Sequence, residues 1–232
     1  MTLNEAFVAQ CELLPNKDCF VWLDEAGKQQ ATWTFQQLRE RANAVAHALL
    51  EEWDCVKGDR VVLMYLPGLD FIAGFWGCMF TGVIAVPVYP VDLSKFKAGV
   101  DKFKTIVASC EPKLILSHSE YILLKRLFAI KLVFEDGDWP DLEFVATDEL
   151  GLDQQAYFAE KCTTEDIAFL QFTSGSTGNP KGVMLTHGCV HHNVNAINSQ
   201  LGEGTGDISS KHISLTLTVS VYEPLKQGVV WS

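Results

Sequence analysis

The sequence predicts an α/β fold, a mostly parallel sheet assembled from βαβ units with helices on both faces. Two patterns carry this. Short apolar, β-branched runs at 60–65, 83–86, 113–117 and 167–172 alternate with stretches of helical spacing at 34–49, from Asp70 onward, and at 96–110 and 119–129. The runs at 60–65 and 83–86 are apolar at nearly every position instead of at every second one, which marks strands covered on both sides. With 232 residues, 48% of them apolar and 20% charged, the chain is long enough to bury a real core.

Residues 3–14 read as a short helix ended by Pro15, and 20–23 as an edge strand followed by a turn at 24–27. Thr34 opens a helix with Gln37 completing a capping box. Phe35, Leu38, Ala42, Val45 and Leu49 recur three and four apart along it and face the core. Lys57-Gly58-Asp59 turns the chain into the strand at 60–65, and Pro67-Gly68 leads to the helix from Asp70. The 21 residues 71–91 carry no charge, which satisfies the length of a membrane span. Gly74, Gly77, Gly82, Pro87 and Pro90, with acids instead of basic residues at both flanks, favour a buried helix, a glycine stop at Gly82 and a buried strand at 83–86.

A second round follows: a helix at 96–110, whose neighbouring lysines Lys95, Lys97, Lys102 and Lys104 make a solvated face, then a strand at 113–117 and a helix at 119–129. Residues 131–149 turn acidic and read as a connection with one short strand. Asp136-x-Asp138 begins like a calcium loop but lacks the glycine at the sixth position and the glutamate at the twelfth. Thr164-Glu165-Asp166 caps the entry to the strand at 167–172, a helix runs from His187 to about Leu201, and 202–207 reads as a flexible turn. One further strand is expected at 213–221.

A net charge of −11 argues against nucleic-acid binding, which requires clustered Lys and Arg. The seven cysteines are odd in number and nowhere form C-x-x-C, so neither a disulfide scaffold nor a zinc ribbon is indicated. The first ten residues contain Glu5 and no cationic region followed by an apolar block, and a reducing, cytoplasmic setting is expected.

Between the apolar runs ending at Phe172 and resuming at Val183 stand Thr173, Ser174, Gly175, Ser176, Thr177, Gly178, Asn179, Pro180, Lys181 and Gly182. This is a strand, a loop and a strand. Its three glycines allow successive N–H groups to converge on an anion, its four hydroxyls add donors, and Lys181 adds a mobile positive charge. The natural guest is a polyphosphate. A Walker A loop is excluded, because Pro180 stands five positions after Gly175 and Val183 five after Gly178, where Gly-Lys-Ser/Thr would begin. His187 and His191 lie four apart on the following helix, half of a metal site, and no Cys/His pattern elsewhere completes it. No metal is expected there, and His187 is given a positioning role only.

Residues 173–182 closely resemble the signature loop of the adenylate-forming (AMP-binding) superfamily. Gly58-Asp59-Arg60-Val61-Val62-Leu63, Pro67-Gly68-Leu69-Asp70-Phe71 and the stretch from Gly82 to Pro87-Val88-Tyr89-Pro90 are similar to fatty acyl-AMP ligases more than to ordinary acyl-CoA synthetases. Val91 departs from the further proline such ligases carry. The resemblance spans about 20–201. It implies the N-terminal half of the large AMP-binding domain, with 1–207 an incomplete part of that domain and 208–232 a divergent tail. It also implies ATP and Mg2+ as cofactors and a fatty or other carboxylic acid as substrate, with coenzyme A or an acyl carrier protein as acceptor. In such enzymes the carboxylate attacks the α-phosphate, giving acyl-AMP and pyrophosphate, while Thr173, Ser174, Gly175, Ser176, Thr177, Gly178, Lys181 and Gly182 would hold the β- and γ-phosphates.

The family's adenine- and magnesium-binding segment, ribose-binding Asp, hinge and lid lysine have no counterpart in this sequence. Thr205-Gly206-Asp207 resembles the ribose motif, which belongs far downstream. The chain alone is therefore expected to be inactive and, with an unpaired sheet edge, prone to association. A second reading is a non-catalytic protein that binds nucleotide or a partner without turnover.

Overall fold

The computed structural model describes residues 2–24, 26–91, 96–131, 139–153, 162–174, 180–201 and 229–230. Helix α1, Leu3–Leu13, opens on a capping box: Thr2 Oγ1 accepts from the Glu5 N–H at 3.3 Å and Glu5 Oε2 accepts from the Thr2 N–H at 2.8 Å. Its buried stripe is Leu3, Phe7 and Cys11. Strands β1, Asp18–Leu23, and β2, Gln29–Thr34, form an antiparallel hairpin whose turn is held by Asp24 Oδ1, which accepts from the N–H groups of Ala26 and Lys28. The box at Thr34 and Gln37 opens α2, Phe35–His47, as the sequence predicts, and α2 runs on through a π turn, Ala48–Glu52.

The strand expected at an edge is not at one. Strand β9, Val229–Val230, pairs antiparallel with Val21 and Trp22, so this small sheet runs β2-β1-β9 with β1 in the middle. The second neighbour of β1 arrives from about 200 residues further along the chain, a pairing that no local pattern records.

The main sheet is built from β3 (Arg60–Leu63), β4 (Ile84–Pro87), β5 (Leu114–Ser117), β6 (Phe144–Ala146), β7 (Ile167–Ser174) and β8 (Pro180–Thr186). They lie in the order β6-β5-β3-β4-β7-β8. Every pair is parallel except β7 with β8. Helix α3, Asp70–Thr81, carries β3 to β4 in one direction along the sheet; α4, Phe96–Cys110, carries β4 back past β3 to β5. Right-handed crossovers in opposite directions place α3 and α4 on opposite faces.

The side chains agree. Val61, Leu63, Ala85, Leu114 and Leu116 join the core beneath α1, α2 and α3, whereas Val62, Met64, Val86 and Ile115 join a second core with Val100, Phe103, Ile106 and Cys110 of α4. The remaining helices are α5, Ser119–Lys131, and α6, His187–Leu201.

Helix α3 is buried from Phe71 to Thr81, and this accounts for its lack of charge. Among the described residues no helix is long and apolar enough to cross a membrane. Gly77 lets α3 approach α2: a Cβ there would lie 2.6 Å from Val45 Cγ1. Gly82 ends the helix in the left-handed region at φ 70°, the expected glycine stop. The tail expectations at 202–207 and 213–221 lie outside the described residues.

Candidate functional site

Strands β7 and β8 form the hairpin that carries the glycine-rich loop. Phe172 pairs with Gly182, Thr173 with Lys181 and Ser174 with Pro180. Strand alternation decides what each contributes. Leu170 and Phe172 turn into the second core, so Thr173 lies on the opposite face, and both Thr173 and Lys181 are exposed. Gly182 lies beneath the Phe172 ring, where a Cβ would come within 3.0 Å of the ring carbons. The absence of a side chain lets the two strands close over Phe172 just before the loop. Gly175, Ser176, Thr177 and Gly178 lie outside the described residues; Thr173, Ser174, Lys181 and Gly182 flank the place where they join the strands.

Strand β4 is the parallel neighbour of β7, with Ala85 opposite Phe169. Both strands therefore deliver their following segments to the same edge of the sheet. The Val88 N–H donates to Leu63 O at 2.9 Å, and Tyr121 Oη accepts from the Val91 N–H at 3.0 Å, so the stretch Pro87 to Val91 is held at both ends. Between these anchors Tyr89 is 57% exposed.

His187 sits elsewhere. Strand β8 has seven residues, so about 20 Å of strand separates the loop from this histidine at the start of α6. It is buried, its N–H donates to Asp166 O at 3.0 Å, and its Nδ1 has no hydrogen-bond partner among the described residues. Burial holds its pKa below the ordinary value, assisted by Lys57 and opposed by Asp166, which is itself paired with Lys57 at 3.0 Å. Its place is an anchor at the base of the hairpin, a strand's length from Ser174 and Pro180. His191 is within hydrogen-bonding distance of the Asn195 side chain. Among the described residues no group of three or more His, Cys, Asp or Glu side chains is placed to share a metal.

One cluster escapes sequence reading. The chain leaves β3 and β5 in opposite directions, and the crevice outside their carboxyl ends is where open α/β sheets seat ligands. There His118 Nε2 meets Asp70 Oδ2 at 2.9 Å, Tyr65 Oη meets Thr147 Oγ1 at 2.9 Å, and Asp148 accepts from both the N–H and the Oγ of Ser119. Burial pulls the His118 pKa down, but the hydrogen bond and charge of Asp70, with Asp148 and Glu120, raise it above the ordinary value. Asp70 and His118 are 48 positions apart and meet only because β3 and β5 pair.

The chain and its fold are similar to known proteins. Residues 7–223 match the family of AMP-binding enzymes. The chain belongs to this family. It is 27% identical over 219 residues to the medium-chain-fatty-acid–acyl-carrier-protein ligase JamA of Moorena producens, covering 92% of this chain and 36% of that protein. It is 30% identical over 189 residues to Disco-interacting protein 2 homolog B-A of Danio rerio, covering 82% of this chain and 12% of that one. A solved fatty acyl-adenylate ligase from Legionella pneumophila, in complex with acyl adenylate and pyrophosphate, superposes with a TM-score of 0.70 at 32% identity. The match covers 84% of this chain and 32% of that structure. This AMP-binding chain thus spans about a third or less of the relatives named here.

Proposed function

We propose that this AMP-binding chain serves the ATP-dependent activation of a fatty acid to an acyl adenylate with release of pyrophosphate, and that its part is to hold the β- and γ-phosphates. The observation that carries the proposal is the cross-strand pair Thr173 and Lys181, a hydroxyl and a cation both exposed at the mouth of the hairpin. In the reaction a carboxylate oxygen attacks the α-phosphorus, the bond to the β-bridging oxygen breaks, and pyrophosphate carries the displaced charge. Lys181, the hydroxyls of Thr173, Ser174, Ser176 and Thr177, and the backbone N–H groups of Gly175, Gly178 and Gly182 are assigned to that charge. Charge-assisted contacts of this kind are worth roughly 1.5 to 3 kcal/mol each.

The exposed lysine and hydroxyl suit a polyphosphate, which supports ATP as the cofactor. Mg2+ would neutralise phosphate charge during transfer; no residue described here is assigned to it. The likeness to a carrier-protein ligase favours an acyl carrier protein as acceptor, with coenzyme A the alternative. Seven free thiols support a reducing, cytoplasmic setting. The 232-residue chain by itself is proposed to bind ATP without completing turnover.

The test is ATP–pyrophosphate exchange with medium- and long-chain fatty acids, run beside calorimetric titration of Mg-ATP. Binding with negligible exchange is the expected result for this chain. Absence of binding would overturn the assignment of the loop, and robust exchange would overturn the proposed lack of turnover.

A further inference from the structure

Tyr89 is a large side chain left in solvent by a backbone that is firmly held. Tyr is intermediate in burial, pairing an apolar body with a polar tip, and is enriched where one end of the side chain meets a partner. Here the ring is 57% exposed, although Pro87 and Pro90 restrict the backbone on either side and Val91 is doubly bound to the Tyr121 hydroxyl. The exposure is therefore not that of a loose loop tip.

The register says what it stands beside. Strands β4 and β7 are parallel neighbours with Ala85 opposite Phe169; β4 ends at Pro87, and carried two residues past that end the same register sets Tyr89 against Thr173. Val88 packs into the second core, as Phe172 does, so alternation carries Tyr89 and Thr173 to the same face at the same level of the sheet. One strand spacing is about 4.8 Å, a gap that a tyrosine side chain can bridge. A phenol O–H donates readily to a phosphate oxygen and carries no charge to disturb the lysine opposite Thr173.

We infer that Tyr89 is a binding residue of the polyphosphate site, its phenol donating a hydrogen bond to a phosphate oxygen held by the Thr173–Lys181 hairpin. This rests on the reading of that hairpin as a polyphosphate cradle. It adds a donor from the segment that follows β4, so that the site draws on the exits of two neighbouring strands.

The experiment is calorimetric titration of inorganic pyrophosphate into the 232-residue chain and its Tyr89→Phe, Tyr89→Leu and Lys181→Ala variants, with melting curves taken without ligand. Tyr89→Phe removes one exposed oxygen, so its unliganded melting temperature should match the parent while its affinity falls about tenfold. Tyr89→Leu should fall no further, because the hydroxyl and not the ring is the contact. Full affinity in Tyr89→Phe with loss in Lys181→Ala would overturn the role of Tyr89 and leave the hairpin reading intact. Full affinity in Tyr89→Phe with loss only in Tyr89→Leu would replace the hydrogen bond by a stacking contact and overturn the inference as stated. Absence of pyrophosphate binding by the parent chain would overturn the hairpin reading and, with it, this inference.

Discussion

Thr173 and Lys181 face each other across an antiparallel strand pair, directly below the loop that joins them. A hydroxyl and a cation that are eight positions apart in sequence thus share one side of a hairpin mouth, and the pairing around them fixes where the loop must begin and end. Phe172 and Gly182, the next pair down, hold that mouth shut.

Substituting Gly182 tests this closure. Gly182→Ala would bring a methyl within 3.0 Å of the Phe172 ring, and the ring must shift by a few tenths of an ångström to accept it. The expected loss is about 1 kcal/mol in urea unfolding, larger for Gly182→Val. Combining Gly182→Ala with Phe172→Leu should recover most of the cost, since the two residues contact each other. Simple additivity of the two changes would show that the clash is not the cause.

Gly77 makes a sharper case, because its neighbour is stiff. An added Cβ would lie 2.6 Å from Val45 Cγ1, 2.7 Å from Val45 Cβ and 3.2 Å from the Ala42 carbonyl oxygen, so α2 and α3 would have to separate. A β-branched side chain has little rotamer freedom in a helix with which to yield. Gly77→Ala should lower the urea midpoint by an amount equivalent to about 1 to 3 kcal/mol. Adding Val45→Ala should return part of it, and an unchanged midpoint for Gly77→Ala would contradict the close approach of the two helices.

The fold was readable where its causes are local. Both capping boxes belong to residues three apart, and the charge-free run of α3 announces burial on every side. The polar strand Gln29–Thr34 gave no alternation to read, since it is exposed over its first half and exists by pairing with β1. The short β9 is defined by that same neighbour. For the site, the strand, loop and strand pattern predicted the hairpin, whereas the contact of His118 with Asp70 is a product of sheet register. Register of that kind leaves no trace in spacing along the chain.

The His118–Asp70 pair predicts a pH dependence. The His118 pKa is raised in the folded chain above its ordinary 6.5, so the pair's contribution is fully present below that value and is lost as pH rises through the folded value. The stability difference between the parent and His118→Gln should therefore be largest below the ordinary histidine value and shrink as the pH is raised beyond it, as read by urea unfolding at each pH. A difference that is flat or grows with pH would contradict the assignment.

The measurement that bears most directly on the proposed function is calorimetric titration of Mg-ATP into the 232-residue chain and its Lys181→Ala variant. Lys181 is exposed, so its removal should leave the melting temperature unchanged while ATP binds about tenfold more weakly, the loss of one charge-assisted contact. Equal affinity in the two proteins would contradict the account.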